Sequence, residues 1–261
     1  MTILPAIHVR HEDRQGGVVA FVTLDNARRL NVMNTALMEG FVAAFDDLSA
    51  REDLRAVVLT GAGERAFVGG ADVDEMARID GPDGARAFIL RVHACCAAVR
   101  DCPVPVIARI GGWTLGAGLE LAAACDIRVA SEGAMFGMPE VKLGIPSVVE
   151  AALLPMLIGW GRTRSMLLLG ETFDAAEALA MGLIDAVAPA AELDALVEAR
   201  LASLLARGPR AIRLQKALIR RWEDLAPSKA IAAGVEAFAA AFETDEPVKA
   251  MAAWRAARGR G

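Results

Sequence analysis

Glu120 and Glu140 are the residues of this sequence whose type and setting are best suited to chemistry. Glu120 stands one turn into a predicted helix that opens on the small residues Gly116-Ala117-Gly118. Unpaired backbone N–H groups at a helix start can bind a developing oxyanion. Its neighbours Leu119, Leu121, Ala122, Ala123 and Ala124 leave little room for a solvated face, although a solvated helix carboxylate is the competing reading. Glu140 follows in the apolar segment Met135-Phe136-Gly137-Met138-Pro139. An apolar setting raises a carboxyl pKa and would suit Glu140 as a proton donor. Alternatively, it is an ordinary helix-start charge after Pro139. Two carboxyls beside an oxyanion site can move protons, as chemistry at an enolate requires.

A second turn of small residues, Gly69-Gly70-Ala71-Asp72, could bring another N–H to the same oxyanion, or could be a tight structural turn. Other motifs give weaker signals. Gly61-Ala62-Gly63-Glu64-Arg65-Ala66 matches a dinucleotide fingerprint, but Phe67-Val68-Gly69-Gly70 interrupts the helix that must follow it. No G-x-S-x-G elbow is present. Cys95 or Cys96 with His93 could form a nucleophile pair, yet Ala94, Ala97, Ala98 and Val99 favour a packed helix. Arg207, Arg210, Arg213, Lys216, Arg220 and Arg221 read as a solvated helix face rather than an RNA-binding patch.

The elements that must position these groups alternate between strand and helix. A hairpin is predicted from residues 7–10 and 18–24, on either side of Gly16-Gly17. Asn34 is placed to cap a helix reaching Ser49, with Leu37, Phe41, Ala44, Phe45 and Leu48 as its core stripe. Residues 55–60 form a strand, 83–100 an amphipathic helix, 103–108 a buried strand, 115–124 a helix and 127–130 a short strand. The alternation continues to about Pro189 and makes the fold α/β. From about Ala191 the chain turns Ala-, Leu- and charge-rich, with Pro209, Pro227 and Pro247 as breaks, and three or four helices are expected.

Composition bounds the partners. The chain has 261 residues, 55% of them hydrophobic, and a formal net charge of −5, which argues against a broad nucleic-acid footprint. The four cysteines contain no C-x-x-C pair, and the three histidines form no H-E-x-x-H, so neither a disulfide framework nor a zinc site is expected. Residues 1–5 lack the form of a secretory leader, and residues 143–160 carry Pro146, Glu150 and Pro155 within the longest apolar stretch. A cytoplasmic protein with no membrane partner is the expectation.

Together, these segments resemble the enoyl-CoA hydratase/isomerase (crotonase) superfamily. The resemblance is carried by Leu30-Asn31-Val32-Met33-Asn34, by Ala66-Phe67-Val68-Gly69-Gly70-Ala71-Asp72, and by Gly116-Ala117-Gly118-Leu119-Glu120-Leu121 running into Ala124-Cys125-Asp126-Ile127-Arg128. Phe136-Gly137-Met138-Pro139-Glu140 and the later Gly170–Asp185 region complete it. It implies a spiral core of repeated ββα units over residues 1–190 and a C-terminal helical oligomerisation region over 191–261, assembling trimers or hexamers. It implies an acyl-CoA substrate, with coenzyme A as part of that substrate and no metal or redox cofactor.

By matching positions, the N–H groups of Ala71 and Ala117 would form the oxyanion hole. Glu120 would help activate a water for attack at C3, and Glu140 would protonate C2. Leu30, Phe67, Gly70, Asp72, Gly116 and Ser147 would contact the substrate. Arg255 or Arg258 would be placed to meet a CoA phosphate, with a solvated surface role as the alternative. The chain departs from the pattern after Glu140, where Gly144-Ile145-Pro146-Ser147-Val148-Val149-Glu150-Ala151 replaces a longer glycine-rich loop. Glu150 is then an additional carboxylate, either a helix-start charge or a determinant of substrate selection. Hydration of a 2-enoyl-CoA is the leading expectation, and double-bond isomerisation the alternative.

Overall fold

The computed structural model describes residues 5–14 and 16–258, with Arg258 described by its backbone alone. The leader reading at residues 1–4 and the Arg258 phosphate contact lie outside the described side chains.

An antiparallel hairpin of β1 (Ala6–Arg14) and β2 (Gly17–Asp25) opens the chain. Next comes α1 (Thr35–Ser49), whose start is fixed by the Asn34 side chain accepting the Leu37 N–H at 2.9 Å. The chain then winds between two sheets. First come β3 (Leu54–Gly61), β4 (Ala66–Val68), the short α2 (Val73–Met76) and the long α3 (Gly81–Asp101). The second turn is β5 (Val106–Ile110), β6 (Trp113–Leu115) and α4 (Ala117–Ala124). The third is β7 (Ile127–Ser131), β8 (Met135–Gly137) and α5 (Leu154–Leu169). Each turn places its first strand in one sheet and its second in the other, as repeated ββα units require. After β9 (Thr172–Asp174), α6 (Ala175–Met181) and β10 (Ala186–Ala188), the large sheet has the order β1-β2-β3-β5-β7-β10 and the small one β4-β6-β8-β9. Leu115, expected to open a helix, instead ends strand β6, which pairs with β4 and β8, and the helix starts at Ala117.

Alternation along the strands divides the core. Ala20, Val22, Leu24, Val57 and Leu59 face the main cluster, which also holds Phe41, Phe45, Phe67 and Phe136. Phe41 and Phe45 stack with centroids 4.6 Å apart. Val19, Ala56 and Val58 face the other way and meet Leu193, Val197 and Leu201 of α7 (Leu193–Leu205). Burial of each such large side chain contributes about 1.5–3 kcal/mol, so these two layers hold the strand ends that carry the site.

The remaining helices are α8 (Pro209–Trp222), α9 (Pro227–Ala241) and α10 (Glu246–Arg258). Of the basic residues expected on a solvated face, Arg207 and Arg221 are exposed, whereas the other four are engaged with the protein. Lys216 is buried, and its Nζ donates to Asp126 Oδ2 at 2.7 Å and to the carbonyls of Val104 at 2.9 Å and Val99 at 3.2 Å. Arg213 donates to the carbonyls of Arg51, Glu52 and Leu54. Arg210 pairs with Glu243, and Arg220 with Asp101, Glu223 and Asp224. These cations pin α8 to the core and to its neighbours. Among the described residues, no helix is long and apolar enough to cross a membrane.

Candidate active site

Two glycines bring the site together. Gly116 adopts φ 51° and ψ −122°, a backbone conformation that strains any residue with a Cβ. Gly118 lies so close to β4 that a Cβ there would meet the Val68 carbonyl oxygen at 2.0 Å. The start of α4 is therefore pressed against the end of β4 and the turn that follows it.

That turn presents Ala71. The Met33 N–H donates to the Gly70 carbonyl at 2.9 Å, and the Asp72 N–H donates to the Met33 carbonyl at 3.0 Å. Asp72 is buried, caps α2 by accepting the Asp74 N–H at 2.9 Å, and pairs with Arg29 at 2.7 Å. The backbone on both sides of Ala71 is thus fixed. Among the hydrogen bonds of the described residues, neither the Ala71 nor the Ala117 N–H donates to a protein acceptor. Both residues line one cavity of about 160 Å³, together with Gly70, Gly116, Glu120 and Glu140.

The two carboxyls differ in setting. Glu120 is only 4% exposed, and its Oε1 accepts the Ala151 N–H at 3.2 Å. Burial, reinforced by the charges of Glu140 and Glu150, pushes its pKa up to about 8 against the pull of the Ala151 and Val148 backbone. This raised acid, Glu120, is not the one to which the apolar sequence around Glu140 points. Glu140 opens the 3-10 turn Glu140–Leu143, and its Oε2 accepts the Ser147 hydroxyl at 2.8 Å. Its Oε1 lies where a Gly116 Cβ would come within 2.5 Å.

The other residues singled out in the sequence fall into place around this cavity. Gly70 and Gly116 line it, whereas Leu30, Phe67, Asp72 and Ser147 do not. Leu30 supports the Ala71 turn through its carbonyl, which accepts the Gly69 N–H at 2.8 Å. Phe67 is fully buried in the core beneath that turn. Ser147 acts on Glu140. Glu150 lies outside the cavity, buried in the 3-10 turn Val149–Leu153, with its Oε1 2.8 Å from His93 Nδ1. Arg255 is exposed on α10.

Several contributors were not singled out in the sequence. Met76 of α2 and Phe88, Ile89 and Val92 of α3 form one apolar wall, and Leu143, Ile145 and Val148 form another. The α3 spacing is that of a helix face, a signal that looks the same whether the face meets core or ligand.

The rival chemistries lack their settings. Gly61 ends β3 and is followed by β4, so no helix start is available for a dinucleotide. Cys95 and Cys96 are buried on α3; burial pushes the Cys95 thiol up to about 12 and raises Cys96 as well. Among the described residues, no cluster of three or more His, Cys, Asp or Glu could hold a metal ion. A wider cleft of about 770 Å³ beside α8 is lined by Arg210, Arg213, Lys216 and Arg220, whose charges are already engaged.

Comparison with known proteins agrees with this geometry. Residues 14–258 match the Enoyl-CoA hydratase/isomerase family. The chain is 34% identical to a short-chain-enoyl-CoA hydratase of Clostridium acetobutylicum over 239 residues, 91% of each chain. It is 33% identical to a probable enoyl-CoA hydratase of Mycobacterium bovis, over 90% of this chain and 91% of that one. A crystal structure of an enoyl-CoA hydratase from Bacillus anthracis superposes with a TM-score of 0.88 at 30% identity, covering 95% of each chain.

Proposed function

The chain belongs to the enoyl-CoA hydratase/isomerase family, and from that premise we propose that it adds water across the 2,3 double bond of a 2-enoyl-CoA. The observation that carries this reading is the presence of both Glu120 and Glu140 in one cavity with the unengaged Ala71 and Ala117 amides.

In this mechanism the thioester oxygen accepts from the two N–H groups. Negative charge collects on that oxygen as the enolate forms, and loss of one such donor typically costs about 2.7–4 kcal/mol. A water held between the carboxyls attacks C3 and gives a proton to Glu120. Glu140 gives its proton to C2. The pair starts and ends with one proton, which is then on Glu120. Burial raises the proton affinity of Glu120, which strengthens it as the base that takes the water's proton, and return of that proton to Glu140 restores the starting state.

Isomerisation of a double bond moves one proton between carbons and needs only one carboxyl. Two carboxyls in unlike settings suit water addition better. Incubation with crotonyl-CoA tests the choice: loss of the conjugated thioester absorbance supports hydration. Conversion of a 3-enoyl-CoA with no change in crotonyl-CoA supports isomerisation instead.

The same reading gives coenzyme A a place as part of the substrate, with no metal or redox cofactor in any step. It also includes self-association as a homotrimer or hexamer. Ile231, Val235, Phe238 and Phe242 at α9 and Val248 and Met251 on α10 leave large apolar side chains exposed, as a subunit interface requires. Four buried, unpaired cysteines suit a reducing cytoplasm.

A further inference from the structure

Glu150 is a buried ionisable group that the proposed mechanism does not use. It is 3% exposed, its Oε1 lies 2.8 Å from His93 Nδ1 and 3.9 Å from Arg100 Nη1, and its Oε2 has no hydrogen-bond partner. The residue before it, Val149, sits at φ 38°, a left-handed conformation that is costly for a β-branched side chain, on the order of 1–3 kcal/mol. The residue after it, Ala151, supplies the N–H that reaches Glu120 Oε1 at 3.2 Å. The strained turn, the buried carboxylate and the amide that holds Glu120 are therefore consecutive in the chain.

Resting on the hydratase reading, we propose that Glu150, held by His93, is a positioning residue that clamps the 148–151 turn against Glu120. A strained backbone persists only where its surroundings enforce it. Across the α3 face of this turn, His93 supplies the closest enforcing contact, and Arg100 stands behind it while also pairing with Glu223 at 2.6 Å. Glu150 also places a second negative charge beside Glu120. The groups facing Glu120 are Glu140 and Glu150, with the Ala151 and Val148 backbone in opposition. Those facing Glu150 are His93 and Arg100, and the neutral Cys96 thiol lies close to both carboxyls.

The clamp is tested with E150Q and H93A, each measured two ways. Turnover of crotonyl-CoA reports the positioning. Carbon-13 NMR of glutamate-labelled protein, with E120Q assigning the signal, reports Glu120 titration without turnover. E150Q keeps the shape and an acceptor for His93 but removes the charge, so Glu120 titrates lower. H93A releases the turn, so kcat falls about tenfold while KM stays within about twofold, and H93Q recovers part of the loss. An unchanged kcat in H93A, or a Glu120 titration there that does not rise as the Ala151 N–H is released, overturns the clamp. Failure of the wild-type protein to hydrate any enoyl-CoA overturns the hydratase reading, and the NMR titration then still decides whether Glu150 acts on Glu120.

Discussion

Glu140 Oε1 occupies the space that a side chain on Gly116 would claim: a Cβ at that position would lie 2.5 Å from the oxygen. The residue that starts α4 and orients the Ala117 N–H thus also leaves room for the carboxyl. G116A must either push Glu140 aside or distort the backbone at φ 51°. Its kcat for crotonyl-CoA is expected to fall about 100-fold or more, accompanied by a stability loss on the order of 1–3 kcal/mol. A G116A protein with wild-type kcat would show that Glu140 and the start of α4 act independently.

Ser147 donates to the other oxygen of Glu140 at 2.8 Å. A typical hydrogen bond contributes about 0.5–1.5 kcal/mol. S147A therefore lowers kcat about tenfold with KM within about twofold, because Ser147 orients Glu140 and does not line the cavity. A change confined to KM would place Ser147 on the substrate instead.

The pH dependence of kcat/KM follows from the shared proton. Water addition needs one carboxyl charged and one neutral, so the singly protonated pair is the active form. Burial holds that proton up to about pH 8. Rate then falls as pH rises through about 8, and the limb belongs to the coupled pair rather than to one residue. A profile flat to pH 10 would remove the pair from the rate-determining chemistry.

Stability has its own pH signature. The folded pKa of Glu120 lies above its ordinary value of 4.5, at about 8. The folded state binds the extra proton, so this group disfavours folding progressively as pH rises from about 4.5 to about 8, and the cost then stays constant. Gln in its place avoids that cost. E120Q is expected to be more stable than wild type at pH 8–9, by roughly 2–4 kcal/mol, with the gap closing towards pH 4–5. Thermal melts across this range measure it; a constant gap would mean that Glu120 charges without penalty.

Much of the site was legible before the fold. Gly116, Gly118 and Glu120 announce themselves because a glycine pair at a helix start followed by a carboxylate has few purely structural uses. Local pattern also located α1, α3 and the C-terminal helices. What pattern could not supply was burial. Glu120 is a raised acid because it is buried beneath the 149–153 turn, a tertiary contact 31 residues away in the chain. The Glu150–His93 contact spans 57 residues, and nothing local to either residue signals it. Lys216 reads as one more helix cation until the fold closes Val99, Val104 and Asp126 around it.

The central claim is that one carbonyl oxygen meets both main-chain donors while the two glutamates face the carbons beside it. A crystal structure with butyryl-CoA, a saturated thioester that cannot be hydrated, tests it most directly. The account predicts the thioester oxygen within about 3.1 Å of both the Ala71 and Ala117 nitrogens, with Glu120 and Glu140 on the C2–C3 side. A thioester bound with its oxygen away from either amide, or with only one glutamate at those carbons, would contradict it.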